Sequence, residues 1–144
     1  MPGPSTRPAA PAALSEISPA DCLELLAEHH LGRLAVNVPG WPPLIRPVSY
    51  VFDPHSRSVV FGCIRGSKFH ALARAQRAAF EIDGEDGEHG WSVIVIGPIE
   101  EVGSRSDIDR LDRSRIRPWV AEDSRHWLRI RATAISGRRI GPAE

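Results

Sequence analysis

A chain of 144 residues is enough for one domain that buries most of its apolar surface, and short for two. Its 18 basic and 18 acidic residues cancel to a formal net charge of zero, so nothing global favours a nucleic acid or an anionic membrane as partner. Cys22 and Cys63 lack a C-x-x-C spacing, and none of the six histidines forms H-E-x-x-H, so neither a disulfide framework nor a metal site is expected.

The first segment, MPGPSTRPAAPAA, is rich in proline and has no apolar periodicity. It cannot bury enough surface to offset the entropy of ordering, so residues 1–14 are expected to form a disordered arm ahead of a domain over 15–144. No basic-then-apolar leader pattern and no apolar run near the roughly 20 residues that span a bilayer are present, and a cytoplasmic protein is expected. Ser18-Pro19-Ala20-Asp21 combines an N-cap serine, a proline at the first helical position and an acid in the first turn, which predicts a helix start. Leu23, Leu26 and Ala27 continue it at helical spacing, and Gly32 is placed to end it in a left-handed conformation.

Residues 33–38, RLAVNV, alternate Leu34, Val36 and Val38 on one face; the turn PGWPP separates them from LIRPVSYVF at 44–52, predicting a hairpin. Pro47 cannot donate to a ladder and belongs at an edge or a bulge. SVVFGCI at 58–64 reads as a third strand and FHALARAQ as a short helix. AAFEID at 78–83 is a fourth strand, GEDGEHG a polar loop, and WSVIVIG at 91–97 an apolar run typical of a strand covered on both faces, with Gly97-Pro98 as a bend. SDIDRLDRSRI predicts a charged helix over 106–116, and HWLRIRATAI alternates Trp127, Arg129 and Arg131 against Leu128, Ile130 and Ala132 as one strand over 126–135. Six or seven strands with two or three inserted helices point to a single, mainly β domain built as a small barrel, not a parallel βαβ sheet.

Seventeen of the 18 basic residues are arginine, which leaves Lys68 as the one lysine. Ten arginines lie between Arg105 and Arg139, interleaved with Asp107, Asp109, Asp112, Glu122 and Asp123, which reads as a solvated, salt-bridged face. Lys68 sits in RGSK, between a predicted strand and a predicted helix. Backbone N–H groups and the helix dipole favour an anion at such a junction, and Arg65, Ser67 and Lys68 could hold a phosphate, but taken alone the segment reads first as a solvated loop. G-x-x-x-x-G-K-[ST], G-x-G-x-x-G and G-x-S-x-G are all absent, which removes a nucleotide P-loop, a Rossmann site and a hydrolase elbow.

The order of these pieces is more specific than any one of them. An R-P-V strand, a strand carrying an aromatic, GSK opening a helix, FEID, GWSVIVIG, P-W and ISGRRI together resemble the pyridoxamine 5'-phosphate oxidase-like family of FMN-binding split barrels, in particular its short actinobacterial members. The resemblance covers about residues 15 to 140. It implies a split β-barrel with FMN at the interface of a homodimer, deazaflavin and haem being alternatives. Arg46, Pro47 and Val48 would lie along the flavin ring and bond its edge, partly through backbone. Phe61 and Cys63 match the next strand, where the family usually carries threonine at the cysteine position, so one hydroxyl contact is expected to be weaker. Ser67 and Lys68, helped by Arg65, would bind the phosphate, and Trp91 and Ser92 would come from the second subunit. Arg138, or else Arg139, corresponds to a late arginine near the ring. The expected activity is oxidation or reduction of a small molecule. Vitamin B6 oxidation is the lesser expectation, because a longer C-terminal region that serves its substrate phosphate has no counterpart here. A cofactor carrier without turnover is the other alternative.

Overall fold

A computed structural model describes Gly3 and residues 12–64, 71, 73, 76–113 and 125–143. The chain runs β1 (Ala12–Glu16), α1 (Pro19–Glu28), β2 (Leu31–Val36), β3 (Leu44–Asp53), β4 (Ser58–Ile64), β5 (Arg77–Asp86), β6 (His89–Glu101), α2 (Arg105–Asp112), β7 (Arg125–Arg131) and β8 (Ala134–Pro142). All strand pairings are antiparallel. In the order β6-β5-β2-β3-β4-β7, with β7 returning to β6, six strands close a barrel; β8 and β1 extend it from the other side of β6. The expected mainly β barrel is therefore the observed fold.

Alternation along the strands decides what fills it. Leu34, Tyr50, Val59, Phe61, Phe80, Val93, Val95, Leu128 and Ile130 all point inward and are fully enclosed. Each large apolar side chain so buried is worth about 1.5–3 kcal/mol, which makes this cluster the main source of stability. Helix α1 adds Cys22 and Leu26 to the same core. Its start is as expected: the Ser18 hydroxyl accepts from the Asp21 N–H at 3.2 Å, with Pro19 in the first turn. A second, smaller cluster lies outside the barrel wall, where Val60 and Trp127 are covered by Val102 and by Leu111 of α2.

Several local expectations change. Residues 12–14, expected in the arm, belong to β1 and pair with Ile140, Gly141 and Pro142 of β8. Helix α1 ends at Glu28 with an extended His29, and Gly32 is a strand residue opposite Val48. Gly32 is needed for space, since a Cβ there would lie 2.2 Å from the Phe80 ring. GEDGEHG is not a loop: β5 continues to Asp86 and turns through Gly87 and Glu88 into β6. The apolar run on β6 is buried on one face only; Trp91, Val93 and Val95 point inward and Ile96 outward. HWLRIRATAI divides into β7 and β8, because Ala132 and Thr133 leave the strand path where Thr133 N–H bonds Ile96 O at 2.8 Å. The charged helix begins one residue early, at Arg105, and is described as far as Asp112. Of FHALARAQ only Ala71 and Ala73 are described within a helix, and the rest lies outside the described residues.

Candidate functional site

Pro47 decides the first half of the site. Residues Leu44–Ser49 of β3 pair with β2, whereas pairing with β4 starts only at Tyr50. Among the described residues this half of β3 therefore has one free edge, which is where a residue lacking an N–H is tolerated. A free edge also offers unpaired backbone donors and acceptors to a ligand. Arg46 is exposed there, its guanidinium donating to the Ile45 carbonyl at 3.0 Å, and Val48 is half-buried against the core. Phe61 and Cys63 follow on β4, at 0% and 5% exposure, with their side chains inside the barrel. A ligand at this strand would meet backbone first. Arg65, Ser67 and Lys68 lie outside the described residues.

The second half is a cleft of about 480 Å³ on the far side of β5, where β6 and β8 lie together. Trp91, Ser92 and Arg138 all line it, because Ser92 pairs with Arg138 in the β6–β8 ladder. Trp91 is 8% exposed and held tightly: its ring lies flush against Gly84, where a Cβ would come within 2.7 Å, and His29 meets it edge-on at 5.0 Å. Asp83, Glu85, Leu14 and Ile140 complete the walls. Sequence reading did not single them out. Acids two apart in EIDGED are ordinary for a solvated strand face, and only the register places them beside Trp91.

Charge in the cleft is unevenly satisfied. Asp83 is paired with Arg33, which also lies 3.8 Å from Glu81. Arg138 makes no ion pair among the described residues, so it is the cation available to an anionic or electron-rich ligand. Arg139 differs: it alternates to the opposite face, opposite Trp91, and its guanidinium is 3.9 Å from Asp86. The two neighbouring arginines are thus distinguished by strand alternation.

The two halves are not brought together within one chain. Strand order places β2 and β5 between β3 and β6, so Arg46, Pro47 and Val48 are three strands away from Trp91 and Ser92.

A family described as pyridoxamine 5'-phosphate oxidase matches residues 18–139, a span that holds the site residues discussed above except Leu14 and Ile140. This chain belongs to the pyridoxamine 5'-phosphate oxidase family. Among family relatives, an uncharacterized protein of Mycobacterium tuberculosis is 32% identical over 88 residues, covering 60% of this chain and 80% of that one. Among solved structures, the FAD binding protein from Mycobacterium smegmatis is 33% identical, with a TM-score of 0.79 over 90% of this chain and 100% of that chain. An FAD-binding protein from Mesorhizobium loti, at 23% identity and a TM-score of 0.70 over 88% and 97% of the two chains, shares the fold. The TM-score of 0.79 to the Mycobacterium smegmatis protein shows that the two chains share this fold. No helix among the described residues is long and apolar enough to cross a membrane.

Proposed function

We propose that this protein binds FMN between two copies of the chain and acts as an oxidoreductase on a small molecule. The observation that carries the flavin part of the reading is the 33% identity, over the whole length of the relative, to a protein described as FAD-binding. The chemistry of the donor set fits a flavin. The free edge of β3 at residues 44–49 supplies backbone groups for the polar edge of a ring, while Val48 supplies apolar contact. Arg138 and Ser92 supply a cation and a hydroxyl on the other side. Arg65, Ser67 and Lys68 are proposed to hold the phosphate, two cations and a hydroxyl suiting a dianion.

A bound flavin supplies two-electron chemistry, accepting or giving hydride at N5. The residues of this chain bind and orient it. Arg138 would offer its cation to an electron-rich group held in the cleft, and Trp91, fixed by Gly84 and His29, would help to keep water from it. Because the two halves of the site are three strands apart in one chain, a second copy is needed to complete it, and the protein is proposed to work as a homodimer.

A second reading replaces FMN with FAD, favoured by the names of both structural relatives. Heat release of the chromophore from purified protein, followed by its absorption spectrum and mass, separates the two. FMN supports the first reading and FAD the second. Haem, a deazaflavin, or a colourless protein that takes up no added flavin overturns both. Reoxidation of the reduced protein by a small-molecule acceptor tests turnover. Lys68→Ala is expected to weaken flavin binding by about tenfold or more in a fluorescence titration, since it removes a charge-assisted phosphate contact.

A further inference from the structure

The cleft beside Trp91 has an outer end that the proposed flavin contacts do not use. Glu85, Gly90, Ile140 and Leu14 are successive register partners across β5, β6, β8 and β1. They form one row of the cleft wall, two residues nearer the β5–β6 turn than the row of Asp83, Ser92 and Arg138. Neighbouring strands lie about 4.8 Å apart, so the backbones at Glu85 and Ile140 are separated by roughly 10 Å with only Gly90 between them. A Cβ on Gly90 would meet nothing nearer than the Ile140 methyl at 3.7 Å. The glycine therefore floors this gap without filling it.

The two sides of the gap differ in chemistry. On one side Ile140 is 53% and Leu14 63% exposed, so two adjacent aliphatic side chains stand in water at the lip, where covering them is favourable. On the other side stands the carboxylate of Glu85, which is exposed and makes no ion pair among the described residues. Its neighbour Asp83 is already matched by Arg33. Arg138, the cation of the cleft, lies on β8 in the inner row, across β6 from the strand of Glu85.

We propose that this outer end is a substrate subsite that selects an organic cation carried on a narrow apolar body, an alkyl- or arylammonium ion. The inference rests on the reading that the inner row serves a flavin. The apolar body lies over Gly90 against Ile140 and Leu14, and the ammonium group meets Glu85. A carboxylate of the same shape would set its charge against that of Glu85. A neutral compound would cover the aliphatic lip while taking water from an unpaired carboxylate, which is costly. A cation satisfies both sides of the gap, with a charge-assisted hydrogen bond on one and apolar contact on the other. Glu85 and Ile140 are thus assigned as residues that determine specificity.

The test titrates the purified full-length protein, its chromophore recorded by absorption, with hexylammonium, hexanol and hexanoate while the amide resonances of Glu85, Gly90 and Ile140 are followed by NMR. Hexylammonium is expected to shift all three and to bind about tenfold or more tightly than hexanoate. Lengthening the chain from butyl to hexyl should tighten binding by about two- to fourfold per methylene, and Ile140→Ser should flatten that dependence. Glu85→Gln, an isosteric change at an exposed position, should weaken hexylammonium by about tenfold and leave hexanol unchanged. Equal binding of hexanoate and hexylammonium, no shift at the three amides, or a Glu85→Gln protein that binds hexylammonium as tightly as the wild type overturns the proposal. The subsite and the cofactor fail separately. Flavin-bearing protein without the preference for the cation overturns the subsite alone, and colourless protein that takes up no flavin but keeps the preference supports the subsite while removing the flavin reading.

Discussion

The Tyr50 hydroxyl donates to the backbone carbonyl of Leu26 across 2.7 Å. Leu26 is in the last turn of α1, where carbonyls have no partner within the helix, and Tyr50 is fully enclosed in the barrel. One hydrogen bond thus fastens the helix to the barrel wall, and burial holds the phenol proton by pushing its pKa up. Tyr50→Phe keeps the ring and its edge-on contact with Phe80 at 4.7 Å but strands the carbonyl. The expected loss is about 1–2 kcal/mol in urea unfolding, the cost of a buried unsatisfied acceptor. An unchanged midpoint would mean that water replaces the hydroxyl.

Barrel closure depends on Gly97. At this point β6 leaves β5, whose last pair is Arg77 with Pro98, and takes up β7 at Ile99. A Cβ on Gly97 would lie 1.8 Å from the Arg131 carbonyl oxygen. Because the obstacle is backbone and cannot rotate away, Gly97→Ala is expected to cost about 3 kcal/mol or more. Thermal unfolding checks it, and a variant as stable as the wild type would contradict the close approach.

Asp53 sets an acid limit. Burial alone would raise its pKa, but the Arg110 guanidinium at 3.2 Å, the Ser56 hydroxyl at 2.9 Å and the His55 N–H at 3.1 Å outweigh it and hold the carboxyl below its ordinary value. With the folded pKa below the unfolded one, near 3.9, the contribution is complete above that value and is lost as pH falls through the folded pKa. Urea midpoints should hold from neutral pH to about 5 and fall below about 4. Asp53→Asn should be less stable at neutral pH and lose less on acidification; parallel pH curves for the two proteins would remove Asp53 as the cause.

Strand alternation predicts unequal roles for adjacent arginines. Arg138 lines the cleft and Arg139 faces the other way, toward Asp86. Arg138→Gln is expected to lower the reduction potential of the bound flavin and to weaken its binding, while Arg139→Gln leaves both near wild type. Equal effects would place the charge of the site elsewhere.

Trp127 ties the outer helix down. Its indole N–H donates to the Asp112 carboxylate at 2.8 Å while the ring packs on Val60, Val102 and Leu111. Trp127→Phe is expected to cost about 1 kcal/mol or more and to raise hydrogen exchange in Arg105–Asp112 more than in the barrel strands. Uniform loss of protection would show that α2 does not unfold independently.

The barrel was largely legible because residues 44–52 and 58–64 read as strands between turn signals, and because period-two alternation in residues 33–38 and 127–132 reports which side chains must leave water, whatever their partners are. The Ser18-Pro19 helix start was legible because capping is a local contact. Less legible were Gly32 and the segment GEDGEHG. A glycine that makes room for the Phe80 ring looks the same in sequence as one that ends a helix, and polar residues on a long solvated hairpin look like a loop. The division of HWLRIRATAI at Thr133 is equally hidden, because the bond that ends β7 is made to Ile96, far along the chain.

By itself, the sequence determined the mainly β class, the inward residues of β2 and β7, the start of the first helix and the residues that link the chain to its family, all of which follow from local patterns or their order. Only the tertiary structure decided that Trp91, Ser92 and Arg138 share a cleft, that Arg139 does not face it, and that this cleft stands three strands from Arg46–Val48. Those relations are set by register between strands distant in sequence, where a shift of a single residue would turn each side chain to the other face.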